Sequence, residues 1–104
     1  MTRVVITALA DADIEGILAW LADKAGNTAA SRYAASFERL FERLAIHPAA
    51  GAPRPVLGAN IRIGIVAPYI VIYQHVRTDN AVVILRVVHG RGKIAGSVLR
   101  REED

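Results

Sequence analysis

The stretch YIVIYQHVRTDNAVVILRVVHGR, residues 69–91, determines the fold of this 104-residue chain. Two runs rich in β-branched residues flank a polar segment at 77–80, and this composition predicts a β-hairpin, because the Asp79-Asn80 pair tolerates the backbone angles of a tight turn. Alternation along the second run predicts two faces, with Val82, Ile84, Arg86 and Val88 on one and Val83, Leu85, Val87 and His89 on the other. Both faces are largely apolar, so we expect a sheet that needs cover on both sides.

The residues before the hairpin predict an N-terminal strand at 3–7 and two helices. Thr7 is a candidate N-cap for a first helix that runs to about Lys24 and ends at Gly26. Asn27 or Thr28 is expected to cap the second helix, which the His47-Pro48 pair ends. A connection of two or three residues makes these helices an antiparallel hairpin, with one apolar stripe from each facing the sheet.

Residues 49–59 are rich in Gly and Pro and predict an ordered surface loop, after which residues 60–66 resume a strand pattern. The element order is therefore strand, helix, helix, strand, strand, strand. It predicts an α+β fold in which an antiparallel helical hairpin packs on a small, mainly antiparallel sheet, and the last three strands form a meander. The helices are sufficient to cover one face of that sheet only.

Length and composition indicate one domain, residues 1–104, with a tail from about residue 93 to 104 that is either flexible or ordered by a partner. The chain has no cysteine, and no apolar run approaches the roughly 18 residues that a membrane span requires. We therefore expect a cytoplasmic protein without a membrane contact. The net charge is +3, and the basic surplus lies after residue 46, which suits an acidic partner.

Several short motifs in a fixed order resemble those of one toxin superfamily. They are Ala10-Asp11 with Ile14, Leu44-Ala45-Ile46-His47-Pro48, Gly51 with Arg54, the strand around Arg62, Pro68-Tyr69-Ile70-Val71-Ile72-Tyr73, and Ile84-Leu85-Arg86-Val87-Val88-His89-Gly90-Arg91. Together they make the chain resemble the ParE/RelE superfamily of bacterial toxins from type II toxin–antitoxin systems over nearly its whole length. The closing Leu-Arg-Val-x-His-Gly-Arg pattern is more similar to the ParE branch than to the RelE branch.

This resemblance implies a growth-inhibiting toxin that a cognate antitoxin neutralises, the antitoxin being a ParD-like or similar DNA-binding protein. ParE-type members are known for poisoning DNA gyrase, so gyrase is the expected target and the chain is expected to act by binding rather than as an enzyme. No cofactor and no metal are expected, since the sequence has no metal-ligand spacing or phosphate-binding glycine motif. Contact with the target is assigned to the basic tail residues Arg91, Lys93, Arg100 and Arg101.

The alternative is a ribosome-dependent, metal-independent mRNA endoribonuclease of the RelE type, the one case in which direct nucleic-acid binding is expected. Such an enzyme needs cations beside the phosphate and proton-transfer groups, for which Arg62, Arg86 and His89 are the candidates, with Tyr73 as a further proton-transfer group. Each has a structural explanation as well. Arg86 is suited to pairing with an acidic group, His89 to a hydrogen bond with a loop, and Tyr73 to the core.

The binding hypothesis places an acidic amphipathic antitoxin segment along the groove beside the helical hairpin and the sheet. An apolar sheet face with arginines at its rim is the kind of surface that such a segment covers. The residues assigned to this contact are Arg62, Tyr73, Ile84 and Arg86.

Overall fold

The computed structural model describes residues 1–90. In chain order the elements are β1 (Arg3–Ile6), α1 (Ala8–Ala25), α2 (Asn27–Ile46), β2 (Ala52–Pro53), β3 (Ile61–Val66), β4 (Tyr69–Val76) and β5 (Ala81–His89). Two short 3₁₀ turns, Pro55–Leu57 and Arg77–Asp79, precede β3 and β5. The α+β prediction is confirmed, with two helices on a single sheet.

The sheet has the strand order β1-β5-β4-β3-β2. The last three strands form the predicted antiparallel meander, and Asn80 supplies the left-handed residue of its second turn with φ 49°. β1 pairs with β5 in the parallel direction, which makes the sheet mixed. The two-residue strand β2 lies inside the segment predicted as a loop, and it pairs with Ile63 and Arg62 of β3 only.

The helical hairpin follows the predicted bounds except at the start of α2. The expected cap at Asn27 or Thr28 is wrong, because Gly26 is the N-cap and both residues lie inside the helix. The Thr7 hydroxyl accepts a hydrogen bond from the Ala10 N–H at 3.1 Å and thereby caps α1. Gly26, at φ 97°, is the whole connection between the helices, one residue shorter than the shortest predicted link. This φ lies in a region that favours glycine. α2 ends at Ile46, directly before the His47-Pro48 pair.

The main core lies between the helices and the sheet. Buried side chains of both helices contact those of β4 and β5, the members being Ala10, Leu21, Phe37, Leu40, Leu44, Val66, Tyr69, Val71, Tyr73, Val82, Ile84 and Val87. Burial of this apolar surface is the main favourable contribution to the free energy of folding.

The opposite face of the sheet carries a second, smaller apolar cluster. Leu57 of the 3₁₀ turn packs there with Ile61, Ile63 and Ile72, and all four side chains are buried. Ile70, Leu85 and Val88 pack against this cluster and are only partly buried. The segment around Leu57 therefore covers part of the sheet face for which the sequence predicted no cover.

A β-bulge in β5 changes which side chains share a face. Tyr73 of β4 pairs with Ile84, whereas the neighbouring Ile72 pairs with Arg86, so β5 contains one extra residue at Leu85. Beyond the bulge Val87 joins the helix-facing core and Val88 the opposite cluster. The face assignment by strict alternation is therefore wrong after Leu85, because the extra residue inverts the alternation.

Asp13 of α1 binds β5 just beyond this bulge. Its carboxylate accepts hydrogen bonds from the Arg86 side chain, at 2.7 Å from Nε and 3.1 Å from Nη2, and from the Val87 N–H at 2.9 Å. β1 pairs with β5 only as far as Ile84, so no neighbouring strand reaches the Val87 N–H at this edge of the sheet. Asp13 supplies the acceptor that this amide needs. The contact joins the helical hairpin to the last strand.

We predict that Asp13→Ala lowers the free energy of unfolding by about 2 kcal/mol, because it leaves the partly buried Arg86 guanidinium and the Val87 amide without this acceptor. Urea denaturation followed by circular dichroism measures the change. Asp11→Ala, at an exposed position of the same helix, is the matched control and is expected to change stability much less. Equal losses for the two variants would contradict the role given to Asp13.

Candidate functional site

The three residues that the sequence offered for ribonuclease chemistry lie on two different strands. Arg62 of β3 is level with Tyr73 of β4, and His89 of β5 is level with Tyr69. Tyr69 and Tyr73 are four residues apart along β4, about 13 Å at 3.3 Å per residue. β3 and β5 lie on either side of β4 and are therefore two strand spacings apart. The backbone positions of Arg62 and His89 are therefore separated both along and across the sheet.

Arg62 binds the chain that leaves α2. Its Nη1 donates to the carbonyl oxygens of Ala49, at 3.0 Å, and Gly51, at 2.7 Å. The Tyr73 hydroxyl lies beside it, donating to the Pro48 carbonyl at 2.9 Å and accepting from the Gly51 N–H at 2.9 Å. These contacts hold the segment after α2 against β3 and β4.

Gly51 is enclosed by this arrangement. A Cβ at residue 51 would lie 2.4 Å from the Ile63 carbonyl oxygen and 2.6 Å from the Tyr73 hydroxyl, so no side chain fits. Burial raises the pKa of Tyr73 above the ordinary value of a tyrosine, although the Gly51 N–H and the Arg62 charge oppose the rise. The hydroxyl is therefore un-ionised at neutral pH and acts as a structural hydrogen-bonding group.

Arg86 lies on β5, two strands across from Arg62, and pairs with Asp13 of α1. His89 lies with its ring edge-to-face against Tyr69, at 5.6 Å between ring centroids. His89 and Tyr69 line an open groove of about 450 Å³ beside α1, together with Ile17 and the half-exposed Trp20. Asp13, the partner of Arg86, lines the same groove as His89, whereas Arg62 binds the segment after α2.

The residues assigned to antitoxin contact are placed in the interior or in framework contacts. Tyr73 and Ile84 are both 0% exposed, so a partner cannot contact their side chains unless the core rearranges. Arg62 and Arg86 are partly buried and make the contacts already described. The residues assigned to target binding, Arg91, Lys93, Arg100 and Arg101, lie outside the described residues, as does the tail from about residue 93 to 104.

A second groove runs between α2 and β3, beside the helical hairpin and the sheet, where the antitoxin segment is expected, but its residues differ from those assigned to that contact. Its floor is formed by Leu40, Gly64, Ile65 and Val66, and its rim carries the exposed residues Arg32, Arg39, Arg43 and Arg54. We call it the α2–β3 groove. Within residues 1–90 none of the four rim arginines has a carboxylate within 4.0 Å. In the sequence, Arg39 follows Arg32 by seven residues and Arg43 follows Arg39 by four. These spacings place all three on one side of a helix, and they were the sequence signal for this groove.

Two further properties of residues 1–90 bear on the class of site. No cluster of three or more His, Asp or Glu side chains is arranged to hold a metal ion in this part of the chain. None of its helices combines the length and the hydropathy required of a membrane span.

Comparison with known proteins identifies one family. A family model described as the ParE toxin of the type II toxin-antitoxin system parDE matches residues 4–94. A solved structure of the chromosomal ParDE TA system from P. aeruginosa contains a chain similar to this one, with a TM-score of 0.71 and 21% sequence identity. The similarity covers 86% of this chain and 96% of that chain, and at this identity it concerns the fold. No curated protein matches the chain.

We predict that Tyr73→Phe destabilises the chain by about 2 kcal/mol, because the partly buried Gly51 N–H and Pro48 carbonyl lose their shared partner. Thermal and urea unfolding measure this loss. Tyr33→Phe is the matched control, since the Tyr33 ring packs edge-to-face on Tyr69 and its hydroxyl has no hydrogen-bond partner within residues 1–90. Similar stabilities for Tyr73→Phe and the unaltered chain would contradict a structural role for the hydroxyl.

Proposed function

This chain belongs to the ParE toxin family of type II toxin–antitoxin systems, and from that premise we propose that it inhibits bacterial growth by binding DNA gyrase and is neutralised by a cognate antitoxin. Poisoning of gyrase is the activity for which ParE-type toxins are known. The proposed action is protein binding in the cytoplasm, with the antitoxin as second partner. It requires no catalytic group on this chain.

The observation that carries the antitoxin part of the proposal is the α2–β3 groove. Leu40 and Val66 line it, the exposed Ile65 lies at the same edge of β3, and four exposed arginines stand at its rim without a carboxylate from residues 1–90. Exposed apolar surface beside uncompensated positive charge favours a partner that supplies both apolar and acidic side chains. The proposed antitoxin contacts therefore lie on the exposed α2 arginines instead of the buried Tyr73 and Ile84.

The gyrase part of the proposal assigns target contact to the basic residues of the C-terminal segment, Arg91, Lys93, Arg100 and Arg101. These four residues are half of the eight basic side chains after residue 46, and the acidic residues 102–104 reduce the net charge of the segment to +1. They suit an acidic surface on the target, since opposite charges accelerate encounter and fix orientation. Two separate surfaces would then serve the two partners.

The ribonuclease alternative has less support from the geometry. A general base and the cations that stabilise a phosphate must converge on one substrate position. Arg86 is paired with Asp13, which lines the same groove as His89, but Arg62 lies two strands away on β3 and binds two backbone carbonyls. The two arginines therefore do not converge with His89 on one position.

We predict that regulated expression arrests the growth of a bacterial host, and that the purified chain inhibits plasmid supercoiling by gyrase or accumulates gyrase-cleaved DNA. Changing Arg91, Lys93, Arg100 and Arg101 together to alanine is expected to raise the concentration for half-inhibition by at least about tenfold. Changing the exposed Arg3 and Arg77 to alanine is the control, with little expected effect.

The same preparations added to a translating extract separate the two activities. Intact messenger RNA together with gyrase inhibition supports the proposal. Messenger RNA cut at codon boundaries, with gyrase unaffected, would establish the ribonuclease instead. Growth without arrest, at a verified level of folded protein, would refute a toxin activity.

A further inference from the structure

A small cavity lies where β3 begins and β4 ends. It has a volume of about 200 Å³ and shares no lining residue with the α2–β3 groove or with the groove beside α1. We call it the β3–β4 cavity. The residues that supply its polar groups or its rigid part are Pro53, Pro55, Asn60, Arg62, His75 and Arg77.

The register of the two strands brings an arginine and a histidine to this cavity. Arg62 of β3 is paired with Tyr73 of β4, and the His75 N–H donates to the Asn60 carbonyl at 3.0 Å. Because alternate residues of a strand share a face, His75 lies on the same face as Tyr73 and its partner Arg62. Residues offset by two positions across a strand pair are diagonal neighbours, within reach of long side chains. The imidazole and the guanidinium are therefore neighbours.

Arg77 adds a second guanidinium to the cavity. It begins the 3₁₀ turn Arg77–Asp79 that follows β4, and it is exposed. Asp79 of the same turn does not line the cavity, and no carboxylate of residues 1–90 lies within 4.0 Å of Arg62 or Arg77. The two positive charges are therefore uncompensated by this part of the chain.

The groups around the cavity are ordered before any ligand binds. Arg62 is fixed through its Nη1, which donates to two backbone carbonyls of the segment after α2, while its Nε and Nη2 have no acceptor within residues 1–90. The Arg54 N–H donates to the Ile61 carbonyl at 2.9 Å and ties the segment with Pro53 and Pro55 to β3. Such order lowers the entropy that is lost on binding.

The imidazole of His75 responds to the charge in this cavity. Burial lowers the pKa of His75, and the positive charges of Arg77 and Arg62 lower it further, so the ring is mainly neutral at neutral pH. These three residues are the titratable groups among those that line the cavity. A bound anion favours the imidazolium and raises the pKa of His75. Binding therefore takes up a proton and strengthens as the pH falls.

The lining discriminates between classes of ligand. Two guanidinium groups disfavour a metal ion or a cationic ligand. The two oxygens of a carboxylate are satisfied by one guanidinium fork, whereas donors that converge from two strands and a turn suit the larger number of acceptor oxygens on a phosphate. The volume of the cavity lies below the roughly 300 Å³ of pockets that enclose a whole drug-sized ligand. It therefore admits a single group of a larger molecule.

We propose that the β3–β4 cavity binds one phosphate group of a nucleotide or of a polynucleotide backbone. Arg62 and Arg77 neutralise the phosphate charge, while the His75 ring and the Asn60 amide donate hydrogen bonds to its remaining oxygens. The rest of the ligand lies outside the cavity, and no bond is made or broken. The inference goes beyond the proposed function, because this ligand is neither the antitoxin nor gyrase.

Nuclear magnetic resonance of the histidine rings tests the proposal on the full chain. The ring signals are followed from about pH 8 to about pH 5, without ligand and with a short oligothymidylate whose phosphodiesters keep a constant charge. The titration of His75 is expected to move to higher pH on binding. His47 and His89 do not line the cavity and serve as internal controls. The variant His75→Gln assigns the signal and is expected to remove the pH dependence of binding.

A pair of variants separates a specific site from general attraction to a basic chain. Arg77→Gln is expected to raise the dissociation constant by at least about tenfold, because it removes a charge-assisted contact with the phosphate. Lys24→Gln removes the same charge at the tip of the helical hairpin and is expected to change it by less than about twofold. Equal effects of the two variants would overturn the site, as would a His75 titration that the ligand leaves unmoved.

Two further ligands identify the source of the phosphate. Thymidine monophosphate that binds as tightly as the oligothymidylate assigns the cavity to a free nucleotide, and weaker binding assigns it to a polynucleotide backbone. A glutamate-rich peptide that binds more tightly than both, in a manner that depends on Arg77, would establish a carboxylate ligand and overturn the inference. The cavity is separate from the C-terminal segment assigned to gyrase, so failure of phosphate binding leaves the proposed toxin activity standing.

Discussion

The structure depends on the pairing of the first strand of the chain with the last. β1 lies parallel to β5, with Arg3 level with Ala81 and Ile6 level with Ile84, so residues almost eighty positions apart become neighbours. Where β1 ends, the contact continues through side chains. The Thr7 hydroxyl donates to the Ile84 carbonyl at 2.8 Å, and Asp13 accepts from Val87 two residues past the bulge. The helical hairpin is thereby held at the edge of the sheet that the first strand leaves open.

Local signals in the sequence were sufficient to predict the two helices and the antiparallel meander. The Thr7 cap, the glycine at position 26 and the His47-Pro48 stop act within one helical turn, and the chemistry of each residue type defines them. The long-range features had no such signal. Three features depend on contacts between distant segments: the parallel pairing of β1, the extra residue at Leu85 and the two-residue β2. Residue patterns along the chain do not predict such contacts.

The arginines show the same difference between local sequence signals and long-range contacts. Arg62 and Arg86 interrupt apolar strands, which made them candidate site residues. In the structure each contacts framework groups that only the folded chain brings near. The exposed arginines of α2 lie among other charged residues, as on an ordinary solvated helix face. Their significance depends on the open strand edge beside them, which follows from the shortness of β2. A charged residue in an apolar run thus indicates a need for a partner, and not by itself a function.

The single glycine between the helices has a consequence for how this fold tolerates changes in length. The Gly26 N–H donates to the Leu21 and Ala22 carbonyls at the end of α1, and its own carbonyl accepts from Ala30 in α2. One residue thus completes the last turn of one helix and begins the first turn of the next, so an inserted residue would break both. The segment from Pro55 to Ala59 has no such role in two helices, but its Leu57 side chain is buried against the sheet. Peptide tags or engineered insertions therefore belong at the exposed Ala59, beyond Leu57, and not at the tip of the hairpin.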